Sequence, residues 1–323
     1  MRYRKLGRTG LEVSEIGYGA WGISGKQWIG AEDEISVRAL QQANEHGVTF
    51  FDTALAYGEG HSEQLIARAF GQRSDVVIAS KVPPKNQTWP ARQDSTLDEV
   101  FPRQYVFDCL DQTLRNLGRN TIDLIQFHVW NDRWAARAAN LVDRLQIRST
   151  GRARFVGISI NDHQPTNSLQ ALATGLIDTV QVIYNIFDQS PQDELFGYCQ
   201  KNNIGVIARV PFDEGSLTGK VRPDTVFPAD DFRNFYFGGD RKQQVWERVQ
   251  KMAAALGISI DQLPAVALRF CISHPAVSTV IPGMRTPSHV AANTAVSDEG
   301  PLTAAQLEIL HGFRWDRNFY SPA

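Results

Sequence analysis

Short apolar runs recur along the chain. They alternate with longer stretches in which apolar residues return every three to four positions. The runs "EIGYG" (15–19), "VTFFD" (48–52), "DVVIASK" (75–81), "DLIQFH" (123–128), "RFVGIS" (154–159), "TVQVIY" (179–184), "GVIAR" (205–209) and "VSTVIP" (277–282) read as strands. They are rich in Val, Ile and Phe and do not alternate with polar residues, which suits strands covered on both faces. Helical periodicity marks 32–47, 61–70, 104–118, 134–148, 193–203 and 243–257. Several of these stretches close on glycine, a common helix stop. Eight strands in regular alternation with helices predict an α/β fold of the (β/α)8 TIM-barrel type with additional helices. A doubly wound sheet is the rival, but it does not need eight units. The stretch before the first strand, "MRYRKLGRTGLEVS", reads as a β-hairpin plugging the barrel bottom. No composition shift marks a boundary, so residues 1–323 are expected to form one domain. Insertions at 83–102 and 211–240 follow strand ends, where barrel enzymes build their active-site loops.

Composition narrows the function. The 323 residues are 42% hydrophobic and carry a net charge of −2, so charge gives no case for nucleic acid or an anionic membrane surface. The N-terminus lacks the apolar run of a signal peptide, and no stretch is long enough to span a bilayer. A cytoplasmic location is expected. Cys109, Cys199 and Cys271 are far apart and form neither a disulfide framework nor a metal-ligand spacing. No metal is expected.

Three consecutive strands end on an ionisable residue: Asp52, Lys81 and His128. Neighbouring strands lie ~4.8 Å apart, so a carboxylate, an ammonium and an imidazole are expected to converge at the catalytic end of the barrel. Tyr57 follows Asp52 in "DTALAYGEG", where Gly58 and Gly60 allow the loop to aim the phenol inward. A free phenol titrates near ~10. A Lys81 cation beside it should favour tyrosinate and lower that value. Such a phenol can give a proton to a developing alkoxide.

The stretch "GYGAWG" (17–22) matches G-x-G-x-x-G, the dinucleotide fingerprint of doubly wound folds. That fingerprint works between a strand and a helix whose N-terminus takes the pyrophosphate. The following "WGISGKQWIG" is too rich in glycine for a helix. These glycines therefore read as a loop after the first strand.

Taken together, "RKLGRTGLEVSEIGYGAWGISG", "FFDTALAYGEGHSEQLIARAF", "VVIASK", "LGRNTIDLIQFHVWND", "RFVGIS", "VQVIYNIFD", "GSLTGK" and "VIPGMRTPSHVAANTAV" resemble, in order and over nearly the whole chain, the aldo-keto reductases. The resemblance implies a (β/α)8 barrel, NADPH (the NADP couple) as hydride donor, a small-molecule carbonyl substrate, and a catalytic tetrad of Asp52, Tyr57, Lys81 and His128. It places Ser159 and Gln181 at the nicotinamide amide and Gly19, Ala20 and Trp21 in the first loop. Ser216, Leu217 and Gly219 fall in the loop over the pyrophosphate. Gly283, Met284, Arg285 and Asn293 fall at the adenosine end, where Arg285 can pair with a 2′-phosphate.

This sequence departs from the family pattern at several positions. Ile160 follows Ser159, with Asn161 one place later. Arg209 stands where an aromatic usually stacks on the nicotinamide, and its planar guanidinium can stack there instead. His289 replaces a usual glutamine or arginine, and Ala292 replaces an acid. Trp21, Trp89 and Trp130 are candidates for the pocket wall. Two other readings remain at this stage. One is an aldolase with Lys81 as a Schiff-base lysine, against which Asp52 argues. The other is a non-enzymatic NADPH-binding sensor or channel-associated subunit.

Overall fold

The computed structural model describes residues 1–26, 28–136 and 147–321. The chain opens with an antiparallel hairpin, β1 (Tyr3–Lys5) and β2 (Glu12–Ser14). Eight parallel strands follow: β3 (Tyr18–Gly19), β4 (Phe50–Asp52), β5 (Val77–Val82), β6 (Ile122–Phe127), β7 (Ala153–Ser159), β8 (Thr179–Ile183), β9 (Gly205–Arg209) and β10 (Val277–Val280). They pair in sequence order. Between β10 and β3 the sheet closes through bridges from Ile16 to Val280 and from Gly19 to Gly283. Each of the eight runs read as a strand supplies one stave of this (β/α)8 barrel.

The two-residue period of the strands separates two cores. Residues 50, 79, 124 and 207 point inward and pack with Leu6, Val13 and Ile281 inside the barrel. Their neighbours, including Phe51, Ile78, Ile125, Val206 and Ala208, join the larger core between sheet and helices. Leu6 and Val13 belong to the hairpin region, which therefore plugs the barrel bottom. A Cβ at Gly205 would lie 2.8 Å from Leu6 Cδ1, so glycine at the start of β9 makes room for the plug.

Helices Asp33–Glu45, His61–Phe70, Arg103–Leu117, Leu195–Asn202 and Arg241–Leu256 match the periodic stretches. The helix expected over 134–148 falls largely outside the described residues. Helices Leu263–Ser273, Pro287–Glu299 and Ala304–His311 lie outside the periodic stretches. The first is apolar on nearly all sides, which erases the periodic signal. Among the described residues no single helix is long and apolar enough to cross a membrane.

Residues 17–22 do not build a strand–helix phosphate turn. Trp21–Ile23 is a short 3-10 turn. A Cβ at Gly17 would meet Thr279 Oγ1 at 2.8 Å, and one at Gly19 would meet the Ile281 carbonyl at 2.7 Å. These glycines let the first and last staves approach closely enough to close the barrel.

Candidate active site

Four side chains meet at the C-terminal end of the barrel. β4 ends at Asp52 and β5 carries Lys81, both inward-facing and almost fully buried. Lys81 Nζ lies 2.5 Å from Asp52 Oδ1, 2.8 Å from the Thr53 carbonyl and 3.4 Å from Tyr57 Oη. An ammonium has three donors, and these partners use all three. Asp52 Oδ2 accepts from Gln181 Nε2 at 2.7 Å and Gln126 Nε2 at 3.2 Å. Removing one member of a buried ion pair costs about 3–5 kcal/mol, so this network fixes the lysine firmly.

The Tyr57 loop is tied down locally. Thr53 Oγ1 donates to Ser62 Oγ, which donates to the Ala20 carbonyl. Gly58 has φ +63°, and a Cβ there would sit 2.4 Å from the Ser24 carbonyl. Only glycine lets the loop approach the first-strand turn this closely. The Tyr57 ring stacks on Trp21, centroids 6.2 Å apart, and meets the His128 ring edge-on at 5.6 Å.

Burial dominates the titration of this group. It pushes the Tyr57 phenol above its ordinary value; Lys81 pulls it down, and Asp52 pushes it up again. The expected net lowering by Lys81 is thus overturned, because desolvation outweighs the neighbouring cation. Burial, with Lys81 and Arg209 nearby, holds His128 well below the usual imidazole value, so it is neutral at pH 7. Its Nδ1 is buried without a hydrogen-bond partner.

A cavity of about 1240 Å³ opens over this cluster, larger than the ~300–1,000 Å³ typical of small-ligand pockets. Asp52, Tyr57 and His128 line it; Lys81 lies beneath them. Gly19, Ala20, Trp21, Ser159, Gln181, Arg209, Gly283, Arg285, His289 and Asn293 also line it. Ser216, Leu217, Gly219 and Met284 do not. Ser216 and Leu217 are buried, with Ser216 Oγ bonded to the Asp213 carbonyl. Gly219 packs against Ile260, and the buried Met284 accepts the Tyr18 hydroxyl with its carbonyl. Gly215, Thr218 and Lys220 face the cavity from that loop instead. Trp21 and Trp89 line the cavity, but Trp130 does not. β6 ends at Phe127, so the inward register is lost, and Trp130 is buried against Phe127 and Trp134.

Arg209, at the end of β9, donates to Asp162 Oδ1 at 2.7 Å and to the Ile160 carbonyl at 3.0 Å. Asp162 therefore offsets the cation that the strand end brings to the cavity. Lys220, Arg233, Arg285 and His289 gather elsewhere in the same cavity. Burial and neighbouring cations lower both Arg285 and His289. Asp231 is ion-paired with Arg233. Helix Pro287–Glu299 begins just after Arg285, with Thr286 as its N-cap. A helix N-terminus beside clustered cations suits a phosphate.

Sequence reasoning did not select Trp28, Asp162, Glu214, Phe232 or Tyr320 as site residues, though all line the cavity. Burial raises the Glu214 carboxyl to about 7.

A barrel with this cluster at its C-terminal mouth forms an enzyme-like site. The chain belongs to the aldo/keto reductase family, whose family model matches residues 15–314. It is 27% identical to Aldo-keto reductase YhdN of Bacillus subtilis, covering 92% of this chain and 89% of that protein. It is 28% identical to a probable voltage-gated potassium channel subunit beta of Oryza sativa, covering 95% and 94%. Among solved structures, aldo-keto reductase AKR11C1 from Bacillus halodurans superposes with a TM-score of 0.75 at 23% identity, covering 97% and 96%. This last likeness bears on the fold.

Proposed function

We propose that the protein is an NADPH-dependent oxidoreductase that reduces an aldehyde or ketone to an alcohol, with Tyr57 as general acid. The observation that carries this reading is Lys81, which joins the Asp52 carboxylate to the Tyr57 hydroxyl at the floor of a large cavity.

The residues present fit a dinucleotide. Gln181 gives both amide hydrogens to Asp52 and Gln126, so its oxygen is what it can offer a carboxamide. Arg285, Lys220 and His289, beside a helix N-terminus, supply the donors a 2′-phosphate requires. A bound nicotinamide supplies hydride to the carbonyl carbon. Tyr57 gives its proton to the carbonyl oxygen as negative charge grows there. Its raised pKa keeps that proton available at neutral pH. Lys81 and Asp52 orient the phenol and stabilise the tyrosinate left behind. Neutral His128 donates a hydrogen bond that orients the carbonyl, a contact of a kind worth ~3–4 kcal/mol where an oxyanion develops. Trp21 and Trp89 form the walls beside the acid.

The aldolase reading is disfavoured because the Lys81 ammonium is fully hydrogen-bonded and ion-paired. A binding-only role, of the kind the name of the Oryza relative suggests, is disfavoured by the intact cluster. A titration of NADPH fluorescence, followed by steady-state assay on an aldehyde and ketone panel, tests the reading. Binding with turnover supports it. Binding without turnover of any carbonyl favours the sensor role.

A further inference from the structure

The loop after β9 carries three non-glycine residues with left-handed backbone. Val210, Asp213 and Glu214 have φ of 57°, 51° and 54°, a left-handed conformation that residues with side chains rarely adopt. Such conformations persist where the surroundings hold them; Tyr236 Oη donates to Asp213 Oδ1 at 3.1 Å, and the C-terminal tail also bonds to Asp213 and Glu214. Arg317 Nη2 donates to Asp213 Oδ2, and its guanidinium lies over the rings of Trp315 and Phe319 at 4.4 Å and 4.5 Å. Tyr320 Oη donates to Glu214 Oε1 at 2.5 Å. The tail is anchored in turn by buried Arg241, which donates to the carbonyls of Phe319 and Ser321, both at 2.9 Å. Glu214, Gly215 and Tyr320 all line the cavity, so loop and tail meet at its wall.

We propose that the C-terminal tail is a latch on this loop. Arg317 and Tyr320 are positioning residues that hold Asp213 and Glu214 in the strained conformation, and the closed loop slows escape of the dinucleotide. The inference rests on the dinucleotide-binding reading above. Tyr320→Phe tests it, because the variant removes the hydroxyl but keeps the ring against Tyr236 and Phe232. Losing the Tyr320–Glu214 hydrogen bond should make NADPH release, followed by stopped-flow fluorescence, about tenfold faster. Amide exchange at 213–218 should quicken in the cofactor-free protein. Glu214→Gln retains an acceptor for Tyr320 and should keep slow release. Wild-type release and wild-type exchange in Tyr320→Phe would overturn the latch. If the wild-type protein binds no NADPH, the dinucleotide reading fails, and the exchange measurement alone decides the latch.

Discussion

The lower and upper halves of the barrel interior are built by the same strands, yet they follow opposite chemistry. Below, Leu6, Phe50, Ala79, Leu124 and Ile207 fill the space with apolar side chains. Two residues further along three of those strands stand Asp52, Lys81 and Gln126, joined with Gln181 in a polar network. The lower layer is stabilised by burial, which is not directional. The upper layer is stabilised only while every partner is present, because each buried polar group is costly when left alone. The bottom of the barrel holds the fold together, while the top holds one geometry.

Substitutions can break this contrast. Lys81→Met should lower carbonyl reduction by about 10²–10⁴-fold, the range attributed to positioned acid–base groups. It should also destabilise the protein, because Asp52 loses its counter-ion; steady-state kinetics and denaturant unfolding read the two effects. Leu124→Ala, in the lower layer, should cost about 2–5 kcal/mol of stability and leave kcat of the folded fraction unchanged. If Leu124→Ala lowered kcat as Lys81→Met does, the division between layers would fail.

Away from the strands, Arg285→Ala should weaken NADPH binding by about 10–100-fold and NADH binding much less. The ratio of the two dissociation constants reads this directly. Equal losses would remove Arg285 from the 2′-phosphate. A smaller effect concerns pH. Because the Tyr57 pKa is raised, the phenol stays protonated through neutral pH, and reduction should be flat there. Alcohol oxidation requires the tyrosinate and should rise as pH moves into the alkaline range. His128, held well below 6.5, should add no inflection near that value.

The same contrast explains what could be read from the sequence. The eight staves and the residues at their ends were legible because a strand aims every second side chain inward, so "VTFFD" and "VVIASK" already state which groups converge. Trp130 does not reach the cavity because its inward aim requires β6 to continue beyond Phe127, and the strand stops there. In the loop after β9, Ser216 and Leu217 are buried while Thr218 and Lys220 face the cavity. Loops carry no period from which such choices follow. Tyr320 reaches the cavity through contacts made more than 100 residues away in sequence, which no local pattern announces. The direction of the Tyr57 shift depended on how deeply the phenol is buried, a property of the folded loops.

In the proposed mechanism Tyr57, aimed and tuned by Lys81, delivers the proton to the carbonyl. Tyr57→Phe tests it most directly, with NADPH affinity measured by fluorescence titration beside kcat for an aldehyde the wild-type protein reduces. Affinity should be unchanged and kcat lower by at least about 10²-fold; wild-type turnover in that variant would remove Tyr57 from the acid role.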